Sequence, residues 1–132
     1  MLYCLDTNVV ISFFRKDIET LQKMKELGQK QVTIAINPIV LCELFRGVHL
    51  AQEQKNASEL LERFLKSVAI MEFTEEAART YGKLYAELKK SGKQTQEFDL
   101  IIASICIAHN AILVTRNNKD FANINDLKFQ VW

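Results

Sequence analysis

Little in this sequence could staple, break or disorder a chain. Its 132 residues include one proline, four glycines and three cysteines, and no stretch approaches the roughly 18 to 20 uninterrupted apolar residues of a membrane span. With 48% hydrophobic and 25% charged residues, that scarcity excludes collagenous, low-complexity and disordered classes. The cysteines are odd in number, form no CxxC and have no histidine at ligand spacing, which excludes a disulfide framework and a zinc site. Cys4, Cys42 and Cys106 sit in apolar runs and read as small buried hydrophobes in a reducing cytoplasm. A basic n-region and an apolar h-region are missing from the amino terminus, so the expectation is a soluble, cytoplasmic protein with no membrane partner. An excess of one charge is missing too. Seventeen Lys and Arg against sixteen Asp and Glu leave a net +1, which taken alone offers no broad positive field for nucleic acid. The length fits a single domain over residues 1–132, with a core that needs no staples.

What is present is an alternation of strand and helix patterns. Met1 to Leu5 is an apolar run stopped by Asp6-Thr7-Asn8, a strand entering a polar turn, and Val9 to Phe14 resumes as a helix. Ile18, Leu21, Met24 and Leu27 recur every three residues within Asp17 to Gly28, a second helix. Gln31 to Ile36 alternates with period two, and Asn37-Pro38 opens a helix running to about Leu50. The set Ala57, Leu60, Leu61, Phe64, Leu65 and Val68 marks one helix face, and Ala69 to Phe73 a short strand. Thr74 caps the next helix, which ends at Lys89-Lys90 and Gly92. Lys93 to Glu97 is a polar loop, and Phe98 to about Asn110 reads as a helix buried on most sides. Ile112 to Thr115 is a strand, Arg116 to Asp120 a polar turn, and Lys128 to Trp132 an edge strand. Apolar strands alternating with helices predict a three-layer α/β/α domain around a mainly parallel sheet. Ligands of such sheets gather beyond the carboxyl ends of the strands, where Asp6, Thr115 and Arg116 to Asp120 fall.

Four acids stand where solubility does not require them. Singly, each has an ordinary explanation: Asp6 and Asp99 as helix caps, Glu43 on a solvent face, Asp120 in a turn. Together they ask for more. Glu43 interrupts Ile39-Val40-Leu41-Cys42 and Leu44-Phe45, and Asp99 interrupts Phe98 and Leu100-Ile101-Ile102. A carboxylate in such surroundings is costly unless something positive meets it. If these acids converge with Asp6, a hard cation with oxygen ligands, Mg²⁺ or Mn²⁺, is the agent that neutralises them. An all-carboxylate set without an EF-hand loop points to metal-assisted phosphate chemistry.

Leu5-Asp6-Thr7-Asn8-Val9-Val10, Glu43-Leu44-Phe45-Arg46-Gly47, Phe98-Asp99-Leu100-Ile101-Ile102-Ala103 and Thr115-Arg116-Asn117-Asn118-Lys119-Asp120-Phe121 resemble the four signatures of PIN-domain ribonucleases. More narrowly, they are similar to the VapC toxins of toxin–antitoxin pairs. The resemblance covers essentially the whole chain, in order. It implies a PIN-like fold and a Mg²⁺- or Mn²⁺-dependent endoribonuclease that acts on tRNA or rRNA and inhibits translation until a VapB-type antitoxin neutralises it, and it implies a homodimer. Carried over by position, Asp6, Glu43 and Asp99 match the family's catalytic, metal-holding acids. The fourth signature departs: many members have an acid where this chain has Asn117, so either Asn117 or Asp120 completes the metal set. Thr7 and Thr115 are candidates to fix the carboxylates by hydrogen bonding. Arg46, three residues after Glu43, is within reach of an RNA phosphate or of Glu43 itself. Arg116 and Lys119 are further candidate RNA contacts. His49 and His109 close helices, and Phe13, Phe14, Phe45 and Phe121 read as core or interface.

Other classes fit less well. A phosphoacceptor receiver domain needs an adjacent acid pair after its first strand, where this chain has Asp6-Thr7, and a haloacid-dehalogenase phosphatase needs a second Asp where this chain has Asn8. An interaction domain that keeps the fold without nuclease activity is the remaining alternative, motivated by Asn117. Setting aside the four acids leaves the rest of the surface modestly basic, and the near-neutral total then describes an acidic pocket in a positive surround.

Overall fold

Five strands and seven helices alternate in the computed structural model, which describes residues 1–132. In chain order they are β1 (Leu2–Leu5), α1 (Thr7–Phe14), α2 (Ile18–Gly28), β2 (Thr33–Ile36), α3 (Pro38–Leu50), α4 (Gln54–Leu65), β3 (Ala69–Ile70), α5 (Glu75–Lys90), α6 (Glu97–Ala108), β4 (Ile112–Thr115), α7 (Asn118–Phe121) and β5 (Phe129–Val131). The strands form one sheet in the order β3-β2-β1-β4-β5, and every pair is parallel. Cys4 lies opposite Ala35 on one side and Leu113 on the other. Because successive strand residues point to opposite faces, the complete burial of both Cys4 and Leu5 means that helices cover both faces of the sheet. The α/β/α expectation is met.

The chain steps outward from β1 through β2 to β3 and then returns to lay β4 and β5 on the opposite side of β1. This reversal leaves a crevice between the carboxyl ends of β1 and β4, the place where open parallel sheets bind ligands. Local chemistry fixes where the covering helices start. Asn37 accepts the amides of Ile39 and Val40 at 2.9 and 3.0 Å and starts α3 at Pro38. Thr74 caps α5 through the amide of Ala77 at 3.1 Å. The first turn of α5 is acidic and its last is cationic, as the helix dipole favours.

Several boundaries and exposures differ from the sequence reading. Arg116 to Asp120 is not an open turn; its second half closes into α7. The short strand stops at Ile70, not Phe73, and the edge strand shortens to Phe129–Val131. Ile18 and Leu21 do not join the core of α2, whose buried residues are Thr20 and Leu27. Steps of three residues fall 60° short of a full turn on a helix with 100° per residue, so Ile18 and Leu27 lie on opposite sides. Cys4 and Cys106 are buried, but Cys42 is exposed. It occupies the outer face of α3, whose buried positions are Val40, Leu44 and Val48, so its apolar sequence neighbours reflect the other faces of the helix.

Candidate active site

Asp6 is the first residue after β1. Its backbone amide continues the sheet to the carbonyl of Val114 at 2.8 Å, while its side chain caps α1 by accepting the amide of Thr7 at 2.9 Å through Oδ1. Its Oδ2 accepts the hydroxyl of Thr115, the last residue of β4, at 2.7 Å. The carboxylate is thus held across the crevice by the first amide of α1 and the last residue of β4. Asp6 is only 7% exposed, and burial pushes its carboxyl above the usual range, with the Thr115 and Thr7 hydrogen bonds pulling the other way and Glu43 and Asp120 adding repulsion.

Glu43 reaches the same place from α3. The Thr7 hydroxyl donates to its Oε1 at 2.8 Å, and the Arg46 guanidinium lies 3.6 Å from Oε2. Arg46 is therefore a helix ion-pair partner that orients Glu43, with most of its own side chain still open to water. Asp99 sits in the first turn of α6, where Gln96 is the cap residue, so the capping explanation for Asp99 does not hold. Its pKa is raised to about 7, first by burial and then by the charges of Asp120 and Asp6, a hydrogen bond with Asp120 and the charge of Glu43. Asp120 is carried by α7, and the Asn117 side-chain amide donates to its Oδ2. The backbone amide of Asn117 in turn donates to the Thr115 hydroxyl at 3.1 Å.

All four acids therefore meet around one crevice, with Thr7 and Thr115 as hydrogen-bond donors to Asp6 and Glu43. Between Asn117 and Asp120 the geometry separates two roles: Asp120 joins the charge cluster and Asn117 orients it. Arg116 turns away from the acids. Its guanidinium donates to Ser12 at 2.7 Å and its amide to Asn8 at 3.2 Å, so it anchors the turn after β4 to α1. Ser12 belongs to none of the four signatures; its signal in the sequence is the i, i+4 spacing from Asn8, which puts both side chains on one stripe of α1. Lys119 is exposed at the start of α7.

The donor set fits a hard divalent cation in its chemistry: carboxylate oxygens only, strained by mutual repulsion, with the single nearby guanidinium spent on Glu43. No three acids surround a common point. Mg²⁺ asks for less, since it binds through one or two carboxylates and keeps several waters.

Two outcomes follow. A carboxyl whose folded pKa exceeds its unfolded value stabilises the fold below the unfolded pKa, and that contribution is lost as pH rises through the folded pKa. Asp99, moving from 3.8 to about 7, places the loss between about pH 4 and 7. The metal-free protein is expected to melt at a lower temperature at pH 8 than at pH 5.5, Mg²⁺ to raise the melting temperature more at pH 8, and Asp99→Asn to flatten the difference in scanning calorimetry. Thr115→Val removes the donor to Asp6 and the acceptor for Asn117. Loss of such a supporting contact costs about 10- to 100-fold in metal affinity, measurable by Mn²⁺ titration calorimetry, and Thr115→Ser is expected to restore it.

Comparison with known proteins gives the family. The family model described as "PIN domain" matches residues 3–127. Ribonuclease VapC2 of Rickettsia felis is 38% identical over 132 residues, covering 100% of this chain and 98% of the relative. The tRNA(fMet)-specific endonuclease VapC of Shigella flexneri is 25% identical over 130 residues, covering 98% and 97%. Among solved structures, VapBC2 from Rickettsia felis bound to a DNA fragment from their promoter superposes with a TM-score of 0.92 at 34% identity, covering 100% of this chain and 99% of that one. VapBC-1 from nontypeable Haemophilus influenzae gives 0.90 at 29% identity, covering 100% and 98%. With the acids at the β1–β4 crevice and the match running the length of the domain, this chain belongs to the PIN-domain family, among its VapC proteins.

Proposed function

We propose that this protein is a Mg²⁺- or Mn²⁺-dependent endoribonuclease, the toxin of a VapBC-type pair, which hydrolyses phosphodiester bonds in RNA and inhibits translation until an antitoxin covers it. The observation that carries this reading is the convergence of Asp6, Glu43, Asp99 and Asp120 on one crevice with two threonine hydroxyls locking the first two. Asp6 and Asp99 would hold the cation. When bound, it supplies Lewis-acid polarisation of the phosphodiester and a lowered pKa for water. Glu43, oriented by Thr7 and Arg46, would accept a proton from an attacking water at its carboxylate. Asp120, steadied by Asn117, completes the negative wall. The interaction-domain alternative rested on Asn117 alone, and Asn117 has a supporting role here.

The Shigella relative's tRNA specificity supports tRNA as the substrate class, and the VapBC complexes among the solved relatives support a VapB-type partner. A groove of about 190 Å³ between α1, α3 and α4, lined mostly by apolar side chains such as Ile11, Phe14, Leu44 and Leu60, has Glu43 on its wall. An amphipathic antitoxin segment lying there would bury its apolar face and end at the acids. Homodimer formation and a cytoplasmic setting belong to the same reading; no helix is long and apolar enough to cross a membrane. The test is cleavage of a tRNA pool with and without Mg²⁺, followed by sequencing of the new ends. Cleavage should need the metal, stop at stoichiometric addition of the neighbouring gene's product, and disappear in Asp6→Asn; RNA left intact by the free toxin with Mg²⁺ and with Mn²⁺ would refute the proposal.

A further inference from the structure

The antiparallel pair α5 and α6 brings the end of one helix beside the start of the other, and a cavity of about 410 Å³ opens there. Its floor is Leu100, the residue after Asp99, and its walls carry Tyr85, Lys89, Lys93, Gln94 and Thr95. The turn that shapes it is built, not loose. Gly92 has φ +68, its amide donates to the carbonyl of Lys89 at 3.2 Å, and the amide of Lys93 donates to that of Leu88 at 3.0 Å. These are the two bonds of a Schellman end, a conformation that favours glycine at this position, and they fix where Lys93 leaves the backbone. Lys93 also borders the cleft formed with Asn123 to Asp126, just past the helix that holds Asp120. The aromatic wall is similarly backed: the Tyr81 hydroxyl donates to Glu97 at 2.8 Å, and its ring lies 6.1 Å from that of Tyr85. Tyr85 remains 51% exposed, and Phe98, next to Asp99, 53%.

The cations of the acidic crevice and of the α5–α6 turn are unequally free. Arg46 pairs with Glu43, and Arg116 is bonded to Ser12. Lys89, Lys90 and Lys93 make no ion pair. An acidic crevice repels a phosphate backbone, so a polynucleotide needs positive charge beside it, and free lysines with an exposed aromatic face are the elements that hold single strands. A second copy of the chain fits this face less well, because the centres of protein interfaces are depleted in lysine.

Resting on the nuclease reading above, we propose that the cavity at the α5–α6 turn is a subsite for single-stranded RNA beside the first turn of α6, which carries Asp99, with Lys89 and Lys93 on backbone phosphates and Tyr85 stacked on a base. The test measures binding of a short, labelled, mixed-sequence single-stranded RNA by fluorescence anisotropy, in an Asp6→Asn background without metal, over a range of salt. Lys89→Ala with Lys93→Ala should weaken binding and lower the slope of log affinity against log salt by about 1.4, two single-strand phosphate contacts. Tyr85→Ala should weaken binding about tenfold. Lys89→Arg with Lys93→Arg and Tyr85→Phe should bind as the parent does, and unchanged melting temperatures would show that all variants fold. Binding and slope unchanged by the alanine variants would overturn the subsite while leaving the nuclease reading intact if the unsubstituted chain cleaves. Dissociation of a dimer by the same substitutions in sedimentation would overturn it in favour of a copy-to-copy interface. The expected slope change together with a native chain that cleaves no RNA would keep the subsite and refute the nuclease.

Discussion

Asp99→Asn is expected to lower kcat/KM for RNA cleavage by more than about 100-fold, beyond the roughly 10- to 100-fold that loss of a supporting contact costs a metal site, and at the same time to stabilise the metal-free fold at pH 8. The two effects have one cause. Asp99 is ionised at pH 8 against desolvation and the charges of Asp120, Asp6 and Glu43, so the amide relieves a repulsion that the folded state otherwise bears. On the proposed function it also removes one of the two charges that would hold the divalent cation. Steady-state kinetics at saturating Mg²⁺ and calorimetry of the chelated protein read the two effects separately. Asp120→Ala should reproduce the kinetic loss, and Asn117→Ala should show a smaller one, because Asn117 acts on Asp120 through a hydrogen bond and adds no charge. Equal losses in both would assign Asn117 a direct part in the site. An Asp99→Asn enzyme with full activity would remove Asp99 from the chemistry altogether.

The sheet and the acids were legible in sequence to different degrees, for physical reasons. Asp6 after a short apolar strand, and Glu43 and Asp99 breaking apolar runs, were visible because burial of charge is costly enough to make such positions conspicuous. The parallel class followed from strands with no polar face. What could not be read was distance across the chain. The hydrogen bond from Thr115 to Asp6 joins residues 109 apart and exists only because β4 inserts beside β1, a strand order that no local pattern encodes. The role of Asp120 was open because α7 has four residues, too short for a periodicity. Ile18, Cys42 and Phe98 have hydrophobic identity and apolar or periodic neighbours but lie exposed, since composition reports what a helix carries and not which side faces the sheet. Arg46 stands 3.6 Å from Glu43, a contact that the i, i+3 spacing allows but no local pattern fixes.

Phe121→Ala is expected to be the most destabilising single change among those that touch no acid, at about 3 to 5 kcal/mol. Phe121 is completely buried, is the largest of the fully enclosed side chains, and lies 6.5 Å from the ring of Phe129. Against a total stability of about 5 to 15 kcal/mol, the loss should be evident in urea unfolding as a lowered midpoint. A second consequence separates this residue from other core positions. Phe121 follows Asp120 directly and is the only buried residue of α7, so it is the contact that seats the helix presenting Asp120 to Asp99. Below its melting temperature, the folded fraction of Phe121→Ala should therefore retain Mg²⁺-dependent cleavage only at about the level of Asp120→Ala. Two residues that act through one contact are not additive: the double variant should be no less active than Asp120→Ala alone. Leu61→Ala, equally enclosed but on α4, should cost a comparable amount of stability and leave the folded fraction active. Independent, additive kinetic losses from Phe121→Ala and Asp120→Ala would show that α7 keeps its place without the phenyl ring.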